Sequence, residues 1–235
     1  MAIWVGTSGY NYPEWKGNFY PEKLPASSML SYYAERLSTV EINYTYYRMP
    51  NAKTLEGWNR ETPERFKLTL KAPKRVTHDA RLKDCADNVK YFTEMAAKLG
   101  PKLGALLFQL PPSLKQDLGV FDAFLETLPP GLCAAFEFRH GSWLNAEIYA
   151  RLRSRNLALC VADSETKETP VTITADYAYF RLRDEGYTPD DLARWAHTVQ
   201  EKAADCREVY VYFKHEEEGK GPEFARIFLD SLRPH

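Results

Sequence analysis

The chain has 235 residues, 44% of them hydrophobic, so it is long enough to bury a sizeable core. Its 31 Lys and Arg residues against 32 Asp and Glu residues give a net charge of −1, which excludes an overall positive field that would draw it onto nucleic acid or anionic membrane. The 4 cysteines are far apart and show no CxxC spacing, so neither a zinc knuckle nor a disulfide framework is indicated. No apolar run approaches the roughly 18 residues of a membrane span, and the first residues lack an export-signal pattern. We therefore expect one cytoplasmic domain over residues 1–235.

Short runs rich in apolar and β-branched residues predict eight strands along the chain. These runs are residues 3–9, 39–45, 66–72, 104–110, 134–139, 157–163, 177–183 and 209–215.

Segments with helical periodicity lie between most of these strands. They are residues 28–37, 51–61, 89–100, 118–128, 145–153, 188–203 and 222–232. The start of segment 188–203 is the clearest, because Thr188 suits the N-cap, Pro189 the first helical position and Asp191 the third. Residues 164–176 carry several β-branched residues and a Pro, so we predict a loop or extended segment there, without a helix.

Strands that alternate with helices imply right-handed crossovers and a parallel sheet. Eight such units in one domain favour a closed (β/α)8 barrel of the TIM type, irregular after the sixth strand. In such barrels the carboxyl ends of the strands open onto one mouth, where functional groups lie.

Polar residues recur late in the predicted strands, at positions that share one face because residues i and i+2 of a strand point the same way. We interpret this face as the barrel interior at the mouth. The set comprises Glu41, Asn43, Thr69, Lys71, Gln109, Glu137, Arg139, Asp163, Arg181, Arg183 and Lys214.

Positive charges outnumber negative charges in this set by two, so we predict that the mouth prefers an anion, with phosphate as the leading candidate. The loop over residues 71–83 adds further basic residues and His78 beside the same opening. The structural alternative is a set of ion pairs that merely closes a polar barrel end.

Acid–base chemistry in such a mouth needs groups whose pKa values are pushed apart by their surroundings. Our catalytic candidates are Glu41, Glu137, Asp163, His78 and, less directly, His140. Our candidates for substrate binding are Asn43, Lys71, Gln109, Arg139, Trp143, Arg181, Lys214, Tyr10 and Trp15. The aromatic members would suit a stacked base or a sugar face, although most aromatic residues belong to cores.

We predict no cofactor and no metal ligands, because short HxH or HExxH spacings are absent. A divalent metal is a minor alternative, since His78, His140 and His215 each follow a strand. No GxGxxG, GxxxxGK[ST] or GxSxG motif supports a dinucleotide, P-loop or serine-hydrolase site. The leading hypothesis is an enzyme acting on an anionic small molecule; the alternatives are a nucleic-acid binding or end-processing protein and a non-catalytic binding scaffold.

Four ordered motifs resemble the signatures of the YecE-like family, domain of unknown function 72. They are VGTSGYNYPEWKGNFYP, TVEINYTYYRMP, FKLTLKAPKRVTHD and FEFRHGSW. The resemblance implies a TIM-barrel-like fold with a polar cavity at the strand carboxyl ends and leaves the activity unassigned. It marks Gly6, Ser8, Gly9, Trp15, Glu41, Asn43, Tyr47, Lys71, His78, Gln109, Glu137, Arg139 and Trp143.

The last third departs from the pattern of that family. Where such proteins carry an Arg followed shortly by His-Gly, this chain has Arg181-Leu182-Arg183-Asp184, and Lys214-His215-Glu216 replaces an Asn-rich turn. These changes exchange neutral donors for charges, so they predict a stronger preference for anions than in typical members.

Overall fold

The computed structural model describes residues 1–164 and 167–233, and within them nine strands form one sheet. The strands are β1 (Ala2–Ser8), β2 (Thr39–Ile42), β3 (Lys67–Lys71), β4 (Leu103–Gln109), β5 (Ala134–Glu137), β6 (Ala158–Ser164), β7 (Lys167–Glu168), β8 (Tyr177–Leu182) and β9 (Glu208–Phe213). Eight of them pair in parallel, and the contacts β1–β9 and β5–β6 close the sheet into a barrel. The short β7 pairs antiparallel with the end of β6. The predicted eight-stranded parallel barrel is confirmed.

Helices connect most successive barrel strands. They are α1 (Met29–Ala34), α2 (Tyr44–Tyr47), α3 (Ala52–Glu61), α4 (Ala86–Ala97), α5 (Leu118–Leu125), α6 (Ala146–Ser154), α7 (Pro189–Lys202) and α8 (Lys220–Ser231). The predicted start of α7 is confirmed: Asp191 N–H donates to Thr188 Oγ1 over 3.2 Å, and the Asp191 carboxylate accepts from Thr188 N–H over 2.8 Å. Among the described residues, no helix has the length and apolar character needed to cross a membrane.

Two stretches show how the chain leaves the barrel wall. The strand predicted over 39–45 ends at Ile42, because Asn43 has helical backbone angles and the one-turn helix α2 follows. Thr45 Oγ1 donates to the Lys71 carbonyl over 2.6 Å and holds this turn against the end of β3. After β6 the predicted absence of a helix holds over the described part of 164–176; residues 165 and 166 of that prediction lie outside the described residues.

The barrel wall is packed on both faces, as the alternation of side chains requires. On the outer face Phe108 of β4 meets Phe124 of α5, with ring centroids 5.4 Å apart. On the inner face Tyr212 Oη lies 2.8 Å from Thr39 Oγ1 and 2.7 Å from Thr69 Oγ1, which ties three strands together at mid-height. The interior is therefore filled up to the level at which the polar residues begin.

Candidate functional site at the carboxyl ends of the strands

Polar side chains converge inside the barrel where six strands end. Because alternate residues of a strand point to the same face, each of these strands contributes one side chain to the interior layer nearest the mouth. They are Ser8, Glu41, Lys71, Gln109, Glu137 and Arg181, and all of them are buried.

Arg181 lies at the centre of this layer and is 1% exposed. Its Nε atom lies 3.1 Å from each carboxylate oxygen of Glu41, and its Nη2 atom lies 3.0 Å from Glu41 Oε1. On its other side Nη1 donates to Glu137 Oε2 over 3.2 Å. One buried guanidinium thus bridges carboxylates from β2 and β5, and we call Glu41, Glu137 and Arg181 the buried charge cluster.

Glu41 has every carboxylate oxygen engaged. Ser8 Oγ donates to Oε1, and the Tyr179 hydroxyl donates to Oε2 over 2.6 Å. Burial alone would raise the pKa of Glu41, but Arg181 and these donors hold that pKa below its usual range. Glu41 is therefore an ionised, fully hydrogen-bonded group, which suits a structural role better than proton transfer.

Glu137 is less completely engaged than Glu41. Its Oε2 atom accepts from Gln109 Nε2 over 2.9 Å in addition to Arg181. Its buried Oε1 atom has no hydrogen-bond partner among the described residues, and Arg183 Nη2 lies 3.9 Å from it. Burial favours a raised pKa, yet the charges of Arg181 and Arg183 lower the pKa of Glu137, so the group is an anion at neutral pH.

Lys71 differs from the other buried cations because its ammonium has neither an ion pair nor a hydrogen-bond acceptor among the residues that the structure describes. The buried Lys102 also lacks an ion pair, but it donates to the Asn59 and Thr62 carbonyls. Lys71 is 9% exposed, and its Nζ atom lies 4.3 Å from the centre of the Tyr46 ring. Burial and the charge of Arg181 lower the pKa of Lys71 to about 8, although Glu41 and Glu137 act in the opposite direction. This ammonium group is therefore charged at neutral pH and close to its titration range.

Three further predicted residues form the rim around Lys71. His78 packs edge-on against Tyr46, with ring centres 5.1 Å apart, and burial together with Lys71 and Arg139 lowers its pKa. Arg139 is exposed, and Lys214 lies 3.6 Å from Glu216 in a partly exposed ion pair. The rim therefore carries positive charge in excess above the buried charge cluster.

Asp163 lies on the opposite face from the one that we predicted. Val161, with which it shares a face, packs between barrel and helices, whereas Cys160 faces the interior. The Asp163 carboxylate accepts from Arg183 N–H over 2.8 Å and from the Tyr187 hydroxyl. Its assignment as a mouth-facing carboxylate was wrong, because β6 is apolar on both faces and the interior takes the smaller residues. Asp163 instead ties the segment after β8 to the end of β6.

The two tryptophans predicted to contact a ligand are core residues. Trp15 is 0% exposed and stacks on Tyr20 with centroids 6.0 Å apart. Trp143 is 1% exposed, stacks on Phe138 at 5.0 Å and donates its indole N–H to the Leu114 carbonyl over 2.7 Å. Neither ring offers a face to a ligand in this structure, so the substrate-binding assignment of both is corrected to packing beneath the mouth.

The histidines considered as metal ligands, His78, His140 and His215, hydrogen-bond to other groups of the protein. Among the described residues, no group of three His, Cys, Asp or Glu side chains has an arrangement that could hold a metal ion. His215 Nε2 bonds to the Asp184 carbonyl at 2.7 Å, which fixes the tautomer with the proton on Nε2. His140 Nδ1 accepts from the Ser142 N–H over 3.2 Å and caps the short turn Gly141–Trp143.

Asn43 and Tyr10 line a separate cavity beside the mouth, between the loops that follow β1 and β2. Asn43 Nδ2 donates to Ser8 Oγ over 2.9 Å, so this cavity shares a wall with the residues around the buried charge cluster. The site residues predicted from sequence do not include Tyr179 and Tyr46. Tyr179 could have been found by the same alternation, since it precedes Arg181 by two residues, whereas Tyr46 follows the predicted strand 39–45 and lies on the short helix α2.

Comparison with known proteins agrees with this architecture. The model of the family described as "Protein of unknown function DUF72" matches residues 4–235. The chain belongs to the DUF72 family. It is 31% identical to a DUF72 family protein of known structure from Thermotoga maritima, with a TM-score of 0.88 over 99% of each chain.

Two curated DUF72 relatives match different shares of their own length. The UPF0759 protein YecE of Escherichia coli K12 is 30% identical over 139 residues, which are 59% of this chain and 48% of that protein. The UPF0759 protein YunF of Bacillus subtilis is 22% identical over 98% of this chain and 94% of its own. The chain therefore matches about half the length of the first relative and nearly all of the second. Neither name assigns an activity.

Proposed function

We propose that this DUF72 protein binds a phosphate-bearing or otherwise anionic small molecule at the mouth and catalyses proton transfer on it. The observation that carries the proposal is Lys71, a 9% exposed ammonium with neither an ion pair nor a hydrogen bond among the described residues. Buried lysines are normally paired, because an isolated buried charge is costly. An anionic ligand group would supply the missing partner.

The distribution of charge supports an anion over a cation. The charge of Arg181 is balanced within the buried charge cluster. The cations above that layer are Lys71, Arg139, Arg183 and Lys214, of which Lys214 pairs with Glu216. Arg183 is 21% exposed in its side chain and lies at the Glu137 side of the mouth, so it can meet a ligand without unfolding the layer below.

Lys71 and Glu137 are the acid–base pair that we propose. With a pKa of about 8, Lys71 is protonated at neutral pH and can give its proton up at small cost. Glu137 is ionised and retains one oxygen without a hydrogen-bond donor among the described residues, so it can accept a proton. Glu41 is withdrawn as a proton-transfer candidate, because both of its carboxylate oxygens already accept hydrogen bonds from Arg181 and its neighbours.

The binding step can be tested by calorimetric titration with sulfate, whose charge is constant between pH 6 and 10. We expect Lys71→Met to weaken sulfate binding at least about tenfold, as loss of a charged hydrogen bond would. Lys67→Met is the matched control, because Lys67 lies on the same face of β3 at the other end of the barrel. Wild-type affinity should fall as the pH rises through about 8, where Lys71 loses its charge. Unchanged binding in Lys71→Met would refute the proposed anion site.

The catalytic step needs a separate test, since a non-catalytic binding scaffold would also bind anions. A panel of sugar phosphates and nucleotides should contain a compound that wild type converts and Glu137→Gln binds without converting. If anions bind and no member of a broad panel is converted, the scaffold alternative is favoured.

The nucleic-acid alternative has weaker support. In the loop after β3, Lys74 pairs with Asp79 at 3.3 Å and Arg81 donates to Ser113, so part of its positive charge is used within the protein. A single-stranded oligonucleotide titrated at several salt concentrations distinguishes the two, because phosphate contacts release counterions and weaken steeply with salt. We also propose a reducing, cytoplasmic setting, which the four free cysteines of the described chain support.

A further inference from the structure

A cavity of about 240 Å³ lies between the loops after β1 and β2, directly beside the mouth. Four of the nine residues that line it are aromatic: Tyr10, Tyr12, Tyr44 and Trp58. Tyr44 and Trp58 meet edge-to-face, with centroids 6.3 Å apart and planes at 86°. Trp58 is 8% exposed and Tyr44 is 45% exposed, so one ring is fixed and the other is free to adjust.

One amide determines the polar character of this cavity. Ser8 Oγ gives its single proton to Glu41 and accepts from Arg181, so it can only accept from Asn43. Asn43 must therefore direct its NH2 group toward Ser8, which leaves Oδ1 as a pure acceptor. This oxygen is buried and has no donor among the described residues.

Two further polar groups of the wall are used within the protein. The Tyr12 hydroxyl donates to the Ser8 carbonyl over 2.8 Å, and Thr54 Oγ1 donates to Asn51 over 3.1 Å. A sugar needs several free partners for its hydroxyl groups, whereas a flat heteroaromatic ring needs two apolar faces and one or two edge contacts. The cavity fits the second kind of group better.

The cavity and Lys71 lie close together because of strand register. Ile42 of β2 pairs with Leu70 of β3, and Asn43 and Lys71 are the next residues of these two segments. The hydrogen bond from Thr45 to the Lys71 carbonyl confirms that the two chain segments touch. A ring in the cavity and an anionic group at Lys71 can therefore belong to one small molecule.

We propose that the cavity is the ring subsite of this mouth and that the ligand is a nucleoside monophosphate, with its base against the Tyr44 and Trp58 rings and its phosphate at Lys71. The assignment rests on the proposed anion site. A base N–H would donate to Asn43 Oδ1. Because this oxygen is buried, the Tyr44 ring would have to move aside for the base to reach it.

The test uses calorimetric titration with adenosine 5′-monophosphate, ribose 5-phosphate and adenosine. We expect the nucleotide to bind at least about fivefold more tightly than ribose 5-phosphate, because stacking of one base has this magnitude or more. Tyr44→Ala should remove that advantage and leave ribose 5-phosphate unchanged. Tyr91→Ala is the matched control, since Tyr91 is 43% exposed and does not line the cavity.

The outcomes separate the two proposals. Equal binding of nucleotide and ribose 5-phosphate, with both weakened by Lys71→Met, would overturn the ring subsite and keep the anion site. Binding of adenosine that Tyr44→Ala weakens, without any binding of sulfate, would keep the ring subsite and overturn the anion site. Failure of all three compounds and of sulfate to bind would overturn both.

Discussion

The two lysines at the ends of β3 have opposite environments although they share one face of one strand. At the amino end, Lys67 Nζ lies 3.6 Å from Glu208 and donates to the Pro101 carbonyl over 3.0 Å. At the carboxyl end, Lys71 is more deeply buried and has a ring contact with Tyr46 in place of an ion pair. The amino end of the barrel satisfies its charges internally, whereas the carboxyl end does not.

This difference separates stability from function along a single strand. Rings and paired charges close the amino end: Glu208 also accepts from the Trp4 indole N–H and the Tyr210 hydroxyl, each over 3.2 Å. At the carboxyl end the buried charge cluster is neutralised, but the layer above it keeps a surplus of cations. Uncompensated burial of Lys71 is destabilising for a protein without ligand, which is the pattern expected of a binding site.

Replacement of Arg181 should have the largest effect of any single change in the barrel interior. Arg181→Met leaves Glu41 and Glu137 buried without their cation, and breaking one partner of a buried pair costs about 3–5 kcal/mol. Urea denaturation measures this loss. Arg151→Met is the control, since Arg151 pairs with Asp122 on the surface and should change stability little.

The pH dependence of Arg181→Met should be opposite in sign to that of wild type. In wild type the folded pKa values of both glutamates are lowered, so their stabilisation is present above about pH 4.3 and is lost as the pH falls through the folded values. Without Arg181, burial raises those values, so the variant should gain stability between pH 7 and pH 5. A variant that loses stability in parallel with wild type would show that the cluster is not the cause.

Lys71→Met should stabilise the protein at neutral pH while it weakens anion binding. A folded pKa of about 8 against an ordinary value of 10.5 corresponds to a burial cost of about 1–3 kcal/mol. This cost is fully present below pH 8 and disappears as the pH rises toward 10.5, so the advantage of the variant in urea should vanish near pH 10. Lys67→Met should show no such gain, and a gain of equal size there would remove the contrast between the two ends.

Asp163→Asn tests whether this carboxylate belongs to the mouth. Because Asp163 bonds to Arg183 N–H and the Tyr187 hydroxyl on the outer side, we expect a stability loss of about 1 kcal/mol and a change in sulfate affinity of less than about twofold. Removal of a negative charge at the mouth would instead tighten sulfate binding. Tenfold tighter sulfate binding in calorimetry would therefore show that Asp163 faces the mouth.

The sequence was sufficient to predict the barrel and most of its polar mouth, because both depend on local periodicity. Alternation within each strand correctly placed Glu41, Glu137 and Arg181 in the interior. It could not show that Arg181 pairs with Glu41, because the two are separated by 140 positions in the chain. Where both faces of a strand are apolar, as around Asp163, the same pattern could not tell inside from outside.

Aromatic residues were the other source of error, for a related reason. Trp15 was predicted to contact a ligand and Tyr44 was not, but packing leaves the first 0% exposed and the second 45% exposed. The sequence carries no local signal for this difference. Residues such as Tyr46 became recognisable only once α2 placed them beside Lys71.

Glu208→Gln should have the smallest effect and sharpens the comparison from the amino end. The Glu208 side chain is 23% exposed, and a glutamine keeps an oxygen that can accept from Trp4, so the loss in urea should stay below about 1 kcal/mol. Sulfate affinity should be unchanged, because Lys67 lies at the end of the barrel opposite the mouth. If Glu208→Gln created a new sulfate site at Lys67, the two ends would differ only by one carboxylate, and an unpaired lysine alone would be enough to bind anions.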